Sequence, residues 1–456
     1  MVRNCRTLLL LVGSLACGRG VPWLVDSQPT MGKGVPFACL PETPDGTPCE
    51  LWWEPCVTDA HCVQGACHSQ TAEAEKPGDL RWRVQFSGTA DPQAVDDDGN
   101  VYVLAGGPGP GDTQVQGPVV AALDACGRIL WQRSADGDQI MLGAEGQLIV
   151  TSPSGLVTAL NRQDGGDLWN VDLTSVFSHD EYSWVGAASL SNQGNLYLAS
   201  GSYTTNTCTV VALGDDGRKL WEQAFPSNDA CEIGEQVTDL NGNLYLGVER
   251  SYSLVSLTPT GSIRYRDAMP GPNFPLVLGG DRLFDGQGDA WWPDGGFVPS
   301  SFQPLDGGYW GMVIDENDGV FAAASTSGEL LAQASSGSPL WTIQNLSAEV
   351  ALLALGQAEV FGATTVTGTS NDSFVPDAGI LMAADRATGT VLWSVPIAPT
   401  FELVLTNSAS VIVDDEQSGV ASYFAGKTKP STIAYWPRSH GGDGTNRYSP
   451  PATAGQ

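Results

Sequence analysis

The chain has 456 residues, with 21 Lys plus Arg against 51 Asp plus Glu, a formal net charge of −30. That balance excludes a surface built for nucleic acid or anionic lipid, because phosphate contacts need clustered Lys and Arg. With 55 Gly, 29 Pro and no sustained 3.6-residue apolar period, the chain reads as many short strands joined by turns, not as a helical bundle.

Arg3 and Arg6 open the chain as a basic region, Leu8 to Leu15 follow as an apolar stretch, and Ser14-Leu15-Ala16 offers a small-residue cleavage site. Residues 1–16 therefore read as a signal peptide, too short to span a bilayer permanently. Cys17 comes next and resembles the lipidated cysteine of bacterial lipoproteins. Gly18 stands where an Asp would favour retention in the inner membrane, which points to an outer-membrane lipoprotein facing the periplasm or the cell surface. No later segment is long and apolar enough to cross a membrane as a helix.

Residues 17–38, rich in Gly and Pro, read as lipid anchor and flexible tether. Residues 39–68 carry Cys39, Cys49, Cys56, Cys62 and Cys67, a segment too short for its own core and dependent on cross-links. With Cys126, Cys208 and Cys231 the candidate disulfide cysteines number eight, an even set suited to an oxidising compartment. Five in one module require a partner outside it, with Cys126 a candidate. Cys208 and Cys231 lie close enough in sequence to pair with each other. His61 and His68 flank the cluster, but the Cys-x2-Cys hooks of structural zinc sites are missing, so no metal is assigned.

After a spacer at 69–77, a pattern repeats through residues 78–436. A turn leads into an aliphatic and usually an aromatic residue at Tyr102, Ile149, Tyr197, Tyr245, Phe284, Phe321, Phe361 and Ile412, in steps of 37 to 51 residues. Such a period marks a radially repeated sheet. Interleaved with it, Gly127-Arg128-Ile129-Leu130-Trp131, Gly217-Arg218-Lys219-Leu220-Trp221 and Gly389-Thr390-Val391-Leu392-Trp393 share the form Gly-x-x-x-Trp. Looser copies end at Trp82, Trp169 and Trp341, and one ends at Tyr265. An Ala-Leu or Ser-Leu pair precedes many copies, as at Ala122-Leu123 and Ser256-Leu257. The glycine permits a tight turn, and the aromatic residue at the strand end can lie across the next sheet.

Between Tyr265 and Trp341 lie two anchors, Phe284 and Phe321, hence two blades, the first with Asp289-Ala290-Trp291-Trp292 in place of its docking motif. Ile412 has no docking motif after it and Trp82 no anchor before it. A strand near Leu80-Arg81-Trp82 would then complete the blade begun around Phe401 to Phe424, and closure would remove exposed edges. The expected fold is all-β: an eight-bladed β-propeller (seven as fallback) of four-stranded antiparallel sheets, preceded by a small disulfide-rich module. Residues 437–456 form a C-terminal tail.

On the recurring Gly-x-x-x-Trp motif, residues 78–436 resemble the PQQ-like β-propellers, which include quinoprotein alcohol dehydrogenases and BamB-type outer-membrane assembly lipoproteins. Trp436-Pro437-Arg438-Ser439-His440 and Asn446-Arg447 resemble a segment at the ends of some propellers of this type. The resemblance implies blade-docking roles for Trp82, Trp131, Trp169, Trp221, Tyr265, Trp341 and Trp393. It also implies two opposed functions. A PQQ/calcium-dependent quinoprotein dehydrogenase would rest its quinone on a Trp floor, and Trp184, Trp291, Trp292 and Trp310 lie outside the docking positions. The vicinal Cys-Cys pair typical of those enzymes is missing, and fold alone does not set function.

The run Asp96-Asp97-Asp98-Gly99-Asn100 has Ala94 and Ala105 where EF-hand ligands belong, so it reads as a hairpin turn with solvated carboxylates, as does Asp315-Glu316-Asn317-Asp318-Gly319. Ser178, His179 and Asp180 are adjacent in one loop, unlike a triad whose members converge from separate segments. The expectation is a non-enzymatic, membrane-tethered, monomeric scaffold with no catalytic residue, cofactor or metal. It would bind an envelope protein or glycan, with a role in outer-membrane assembly; the dehydrogenase is the alternative. The irregular loops Gly106 to Gly117, Phe177 to Trp184, Ser202 to Cys208 and Met269 to Ser301 are the expected contact elements.

Overall fold

Alternation of side-chain direction along a strand means that one residue type can be placed repeatedly on one face. The computed structural model shows how this chain uses that rule. It describes residues 61–63, 66–68 and most of 76–426; the longer stretches outside it are 1–60, 108–116, 178–184, 270–275, 299–308, 368–375 and 427–456. The signal peptide, Cys17, Cys39, Cys49, Cys56, the tether and the tail lie outside the described residues, as do Trp184, His179, His440 and 315–318. His61–Val63 pairs with Ala66–His68 in a short hairpin that sets Cys62 opposite Cys67 along the backbone.

Eight four-stranded antiparallel sheets follow, each in simple meander order. Blade 1 contains Ala90–Val95, Val101–Ala105, Val119–Leu123 and Ile129–Ser134. Blades 2 to 7 run over 139–172, 185–226, 233–268, 277–298, 309–343 and 349–397. Blade 8 combines Leu403–Leu405, Ser410–Asp415 and Gly419–Phe424 with Leu80–Gln85, which pairs with Gly419–Phe424. The first strands of successive blades contact one another all the way round, blade 8 meeting blade 1, so the ring is closed by a strand from each end of the described chain. Arg81 clasps that closure: its guanidinium donates to the Ser408 carbonyl at 2.8 Å and the Ser410 hydroxyl at 2.7 Å and lies over the Phe424 ring.

The register explains both sequence patterns at once. Every anchor sits on its blade's second strand, opposite a small residue on the third, which is opposite the docking position on the fourth. Blade 1 reads Tyr102–Ala122–Trp131, and blade 3 reads Tyr197–Ala212–Trp221. Blade 4 has Tyr245–Ser256–Tyr265, and blade 8 has Ile412–Ser422–Trp82. Ala or Ser between two large groups lets the flanking rings approach, with centroids 6.3 Å apart for Tyr102 and Trp131 and 5.6 Å apart for Tyr197 and Trp221. The Ala-Leu and Ser-Leu pairs of the sequence are these spacers.

The core is distributed as eight apolar wedges, one per seam between blades. In the wedge between blades 1 and 2, Tyr102, Leu104, Val120 and Ala122 meet Ile140, Leu148, Val150 and Leu160, with Trp131 at the margin. Each docking aromatic also reaches a turn of the following blade. The Trp131 indole donates Nε1–H to the Arg162 carbonyl at 2.8 Å, and a Cβ on Gly165 would fall 2.6 Å from its ring. Trp82 does the same at the Ala125 carbonyl and Gly127. Gly165 and Gly127 have φ of 71° and 75°, so both close approach and left-handed backbone demand glycine there.

Two expectations are corrected. The stretch Met269 to Ser301 is no loop: it contains the whole of blade 5, whose strands Val277–Gly279, Arg282–Phe284, Ala290–Trp291 and Phe297–Val298 are too short to show a periodic pattern. Nor does Trp291 replace the lost docking residue. The register Phe284–Ala290–Val298 puts Val298 at that position. Trp291 points the other way, fully buried with Val237, Tyr245 and Leu254 of blade 4.

Cys208 in blade 3 is bridged to Cys231 at the entry to blade 4, with both cysteines fully buried. Closing a loop of this length contributes typically ~2–4 kcal/mol. Cys208→Ala with Cys231→Ala is therefore expected to lower the unfolding free energy by that amount, read from the shifted midpoint of a denaturant titration. Cys126 is also disulfide-bonded, and its partner lies outside the residues whose side chains are described.

Candidate functional site

In a meander blade the first-to-second and third-to-fourth turns emerge on one face of the ring, and on this face carboxylate-centred turns recur. Asp96 organises the first such turn of blade 1. One of its carboxylate oxygens accepts the backbone N–H groups of Asp98 and Asn100 at 3.1 and 2.9 Å. The other accepts the Asn100 amide at 3.0 Å and the Tyr102 hydroxyl at 2.8 Å. Asp239 repeats the device in blade 4 with Asn241, Asn243 and Tyr245. The expected hairpin turn is present, but Asp96 is buried and internally bonded, not solvated.

Asp97 and Asp98 stay exposed and form one wall of a cleft of about 470 Å³ between blades 1 and 2. The other wall is the turn of blade 2 with Asn161, Arg162 and Gln163, and Gly146 and Leu168 complete the lining. Burial first, and then the Asp96 carboxylate, push the carboxyls of Asp97 and Asp98 up, while Arg162 pulls them down. Among the described residues, no three His, Cys, Asp or Glu side chains converge as metal ligands do.

The second-strand tyrosines make a pH prediction. Burial, with the nearby Asp239 carboxylate, pushes the Tyr245 phenol up to about 12, and burial with Asp96 pushes Tyr102 further. A phenol whose pKa is raised on folding holds its proton more tightly in the native state. Its contribution is complete below about pH 10 and is lost as pH rises through the folded value. Stability should thus fall steeply above pH 10, with phenolate absorbance rising in the same transition as the loss of native structure.

At the centre of the ring, polar side chains on first strands serve the blades themselves. Gln93 accepts the Ile140 N–H at 2.9 Å, Gln236 donates to the Tyr197 carbonyl at 2.8 Å, and Thr238 donates to the Leu190 carbonyl at 2.8 Å. Of the Trp residues outside the docking positions, the two whose side chains are described, Trp291 and Trp292, do not share a surface. Trp291 is buried in a seam, while Trp292 lies 40% exposed on a turn under Arg282. Trp310 is on the first strand of blade 6, its side chain outside the described residues. Of the expected loops, 108–116 and 178–184 lie outside the described residues, and Ser202 to Cys208 is a short turn in which Ser202 bonds Thr205. Arg162 was not singled out in the sequence; its place three residues before the docking glycine Gly165 is the signal that marks it as a turn residue of the seam.

Residues 71–253 match the family model described as outer membrane protein assembly factor BamB. The chain is an eight-bladed β-propeller, and this part of it is similar to the PQQ-like group. No curated protein matches its sequence. Among solved structures, BamB from Moraxella catarrhalis is similar at TM-score 0.53 and 13% identity, over 76% of this chain and 99% of that one. The computationally designed Ika8 protein is similar at TM-score 0.57 and 13% identity, over 76% of this chain and 100% of that one. Dihydro-heme d1 dehydrogenase NirN in complex with DHE gives TM-score 0.55 and 14% identity, over 80% and 82% of the two chains. At these identities the structural likenesses concern the β-propeller fold alone.

Proposed function

We propose that this PQQ-like propeller is a non-enzymatic scaffold of the bacterial envelope, tethered to the outer membrane through lipid on Cys17, that binds a protein partner during outer-membrane protein assembly. The single observation that carries the reading is the match of residues 71–253 to the BamB description. Two features support it. On the inner strands Gln93 and Gln236 each make a hydrogen bond to the neighbouring blade. The turn face offers exposed Leu240 and Trp292 beside its polar turns, a mixed surface of the kind protein contacts use.

Loops on a rigid scaffold are the default place for recognition, and lengthening them costs little stability. The test is affinity capture of the full-length protein from native membranes, beside a variant with 108–116 shortened. The reading expects an acylated Cys17 peptide and a co-purifying outer-membrane assembly component reduced at least fivefold with the variant. An unmodified Cys17 and recovery no different from an unrelated lipoprotein would overturn it. Dye-linked alcohol oxidation with added quinone and calcium should stay at background.

A further inference from the structure

The cleft between blades 1 and 2 is not a by-product of the repeat. At the seam between blades 4 and 5 the Tyr245 hydroxyl bonds both Asp239 and the Pro293 carbonyl of the next blade, at 2.9 and 3.1 Å. At the seam between blades 3 and 4 the Tyr197 hydroxyl likewise reaches the Gly242 carbonyl of the next blade at 3.0 Å. Tyr102 bonds only Asp96 of its own blade, and a volume of about 470 Å³ opens in front of that turn. Small-molecule sites are typically ~300–1,000 Å³.

The lining sorts into used and unused groups. Asp96 is saturated by four donors. The side chains of Asp97, Asp98 and Arg162 accept or donate no hydrogen bond and form no salt bridge among the described residues, although all three line the same cleft. The carboxylates and the guanidinium come from different blades, so the open set carries two negative charges facing one positive charge. Like carboxylates held together and partly desolvated favour an incoming cation, and a guanidinium fork favours an incoming carboxylate. A bare cation would meet Arg162, and a bare anion would meet two aspartates. The complementary ligand carries two positive charges and one negative charge.

We propose that this cleft binds a small basic zwitterion of the basic α-amino-acid class, with its ammonium groups on Asp97 and Asp98 and its carboxylate on Arg162. The assignment stands apart from the partner-binding reading above, and neither fails with the other. Isothermal titration of the full-length protein with L-lysine, cadaverine and the tripeptide Gly-Gly-Lys tests it. L-lysine should bind saturably. Asp97→Asn with Asp98→Asn should weaken lysine at least tenfold. Arg162→Gln should weaken lysine at least tenfold yet change cadaverine less than twofold, because only lysine has the carboxylate. Asp98→Asn alone serves if the double variant melts early. Gly-Gly-Lys, whose lysine α-nitrogen is an uncharged amide, should bind at least tenfold more weakly than lysine, and equal binding would overturn the assignment of an α-ammonium to the aspartates. No saturable lysine binding up to several millimolar, or lysine affinity unchanged by Arg162→Gln, would overturn the proposal.

Discussion

Replacing Trp131 by Ala should destabilise the propeller by about 3 kcal/mol, the low end of the range for removing a large aromatic group, since this indole is only partly buried. The loss combines apolar area shared with the wedge between blades 1 and 2 and the hydrogen bond from Nε1 to the Arg162 carbonyl. The adjacent Leu130 is 50% exposed, and Leu130→Ala should change stability by less than about 0.5 kcal/mol. The two variants differ by one position on one strand, so the contrast isolates the seam from strand propensity. Gly165→Ala attacks the same seam from the other side. Its Cβ would sit 2.6 Å from the Trp131 ring on a backbone of φ 71°, and roughly 2 kcal/mol or more should be lost. Denaturant midpoints of the three variants, read by tryptophan fluorescence and circular dichroism, check the ordering. Equal effects at Leu130 and Trp131 would remove the seam from the account.

Asp96→Ala should be as damaging, for a different reason. Four donors lose their acceptor at once: two backbone N–H groups, the Asn100 amide and the Tyr102 hydroxyl. The backbone groups can turn to water, whereas the Tyr102 hydroxyl stands on a residue only 1% exposed. A buried polar group left unpaired costs ~1–3 kcal/mol, and the lost turn adds to it, for a total of about 3 kcal/mol. Tyr102→Phe removes the stranded hydroxyl with its partner. The double variant should therefore be destabilised by clearly less than the sum of the single changes, a coupling of about 1 kcal/mol or more in a thermodynamic cycle. Strict additivity would show that the Asp96–Tyr102 contact carries no energy.

Much of this molecule was legible in its sequence because the repeat obeys a simple steric rule. Tyr102, Ala122 and Trp131 are far apart in the chain yet form one row across three strands, and the same row recurs in every blade but the fifth, where Val298 stands in the docking position. A pattern copied seven times with a constant structural reason can be read without coordinates. Closure was legible for the same reason: Ile412 lacked a docking residue and Trp82 lacked an anchor, and the register joins both to Ser422. Blade 5 was read only in part. Phe284 announced it, but strands of two and three residues carry no alternation, so the segment also looked like a loop.

The cleft was not legible. Asp96, Asp97 and Asp98 are consecutive, and one residue is consumed by its own turn while the next two face another blade's Arg162. That division depends on the approach of two turns about 65 positions apart in the chain, which no local pattern records. Cys126, by contrast, was marked as a bonding cysteine by the odd count of five in the Cys-rich segment, and it is disulfide-bonded.

The ring of eight sheets is closed by the strand Leu80–Gln85, which finishes the last blade. Hydrogen exchange of the full-length protein, read by mass spectrometry on peptides from 80–85 and 410–424, tests this most directly. A fourth strand that closes the ring shares the protection of its neighbours, so both peptides should exchange on the same slow timescale. Full exchange of 80–85 within seconds while 410–424 remains protected would contradict the closed ring.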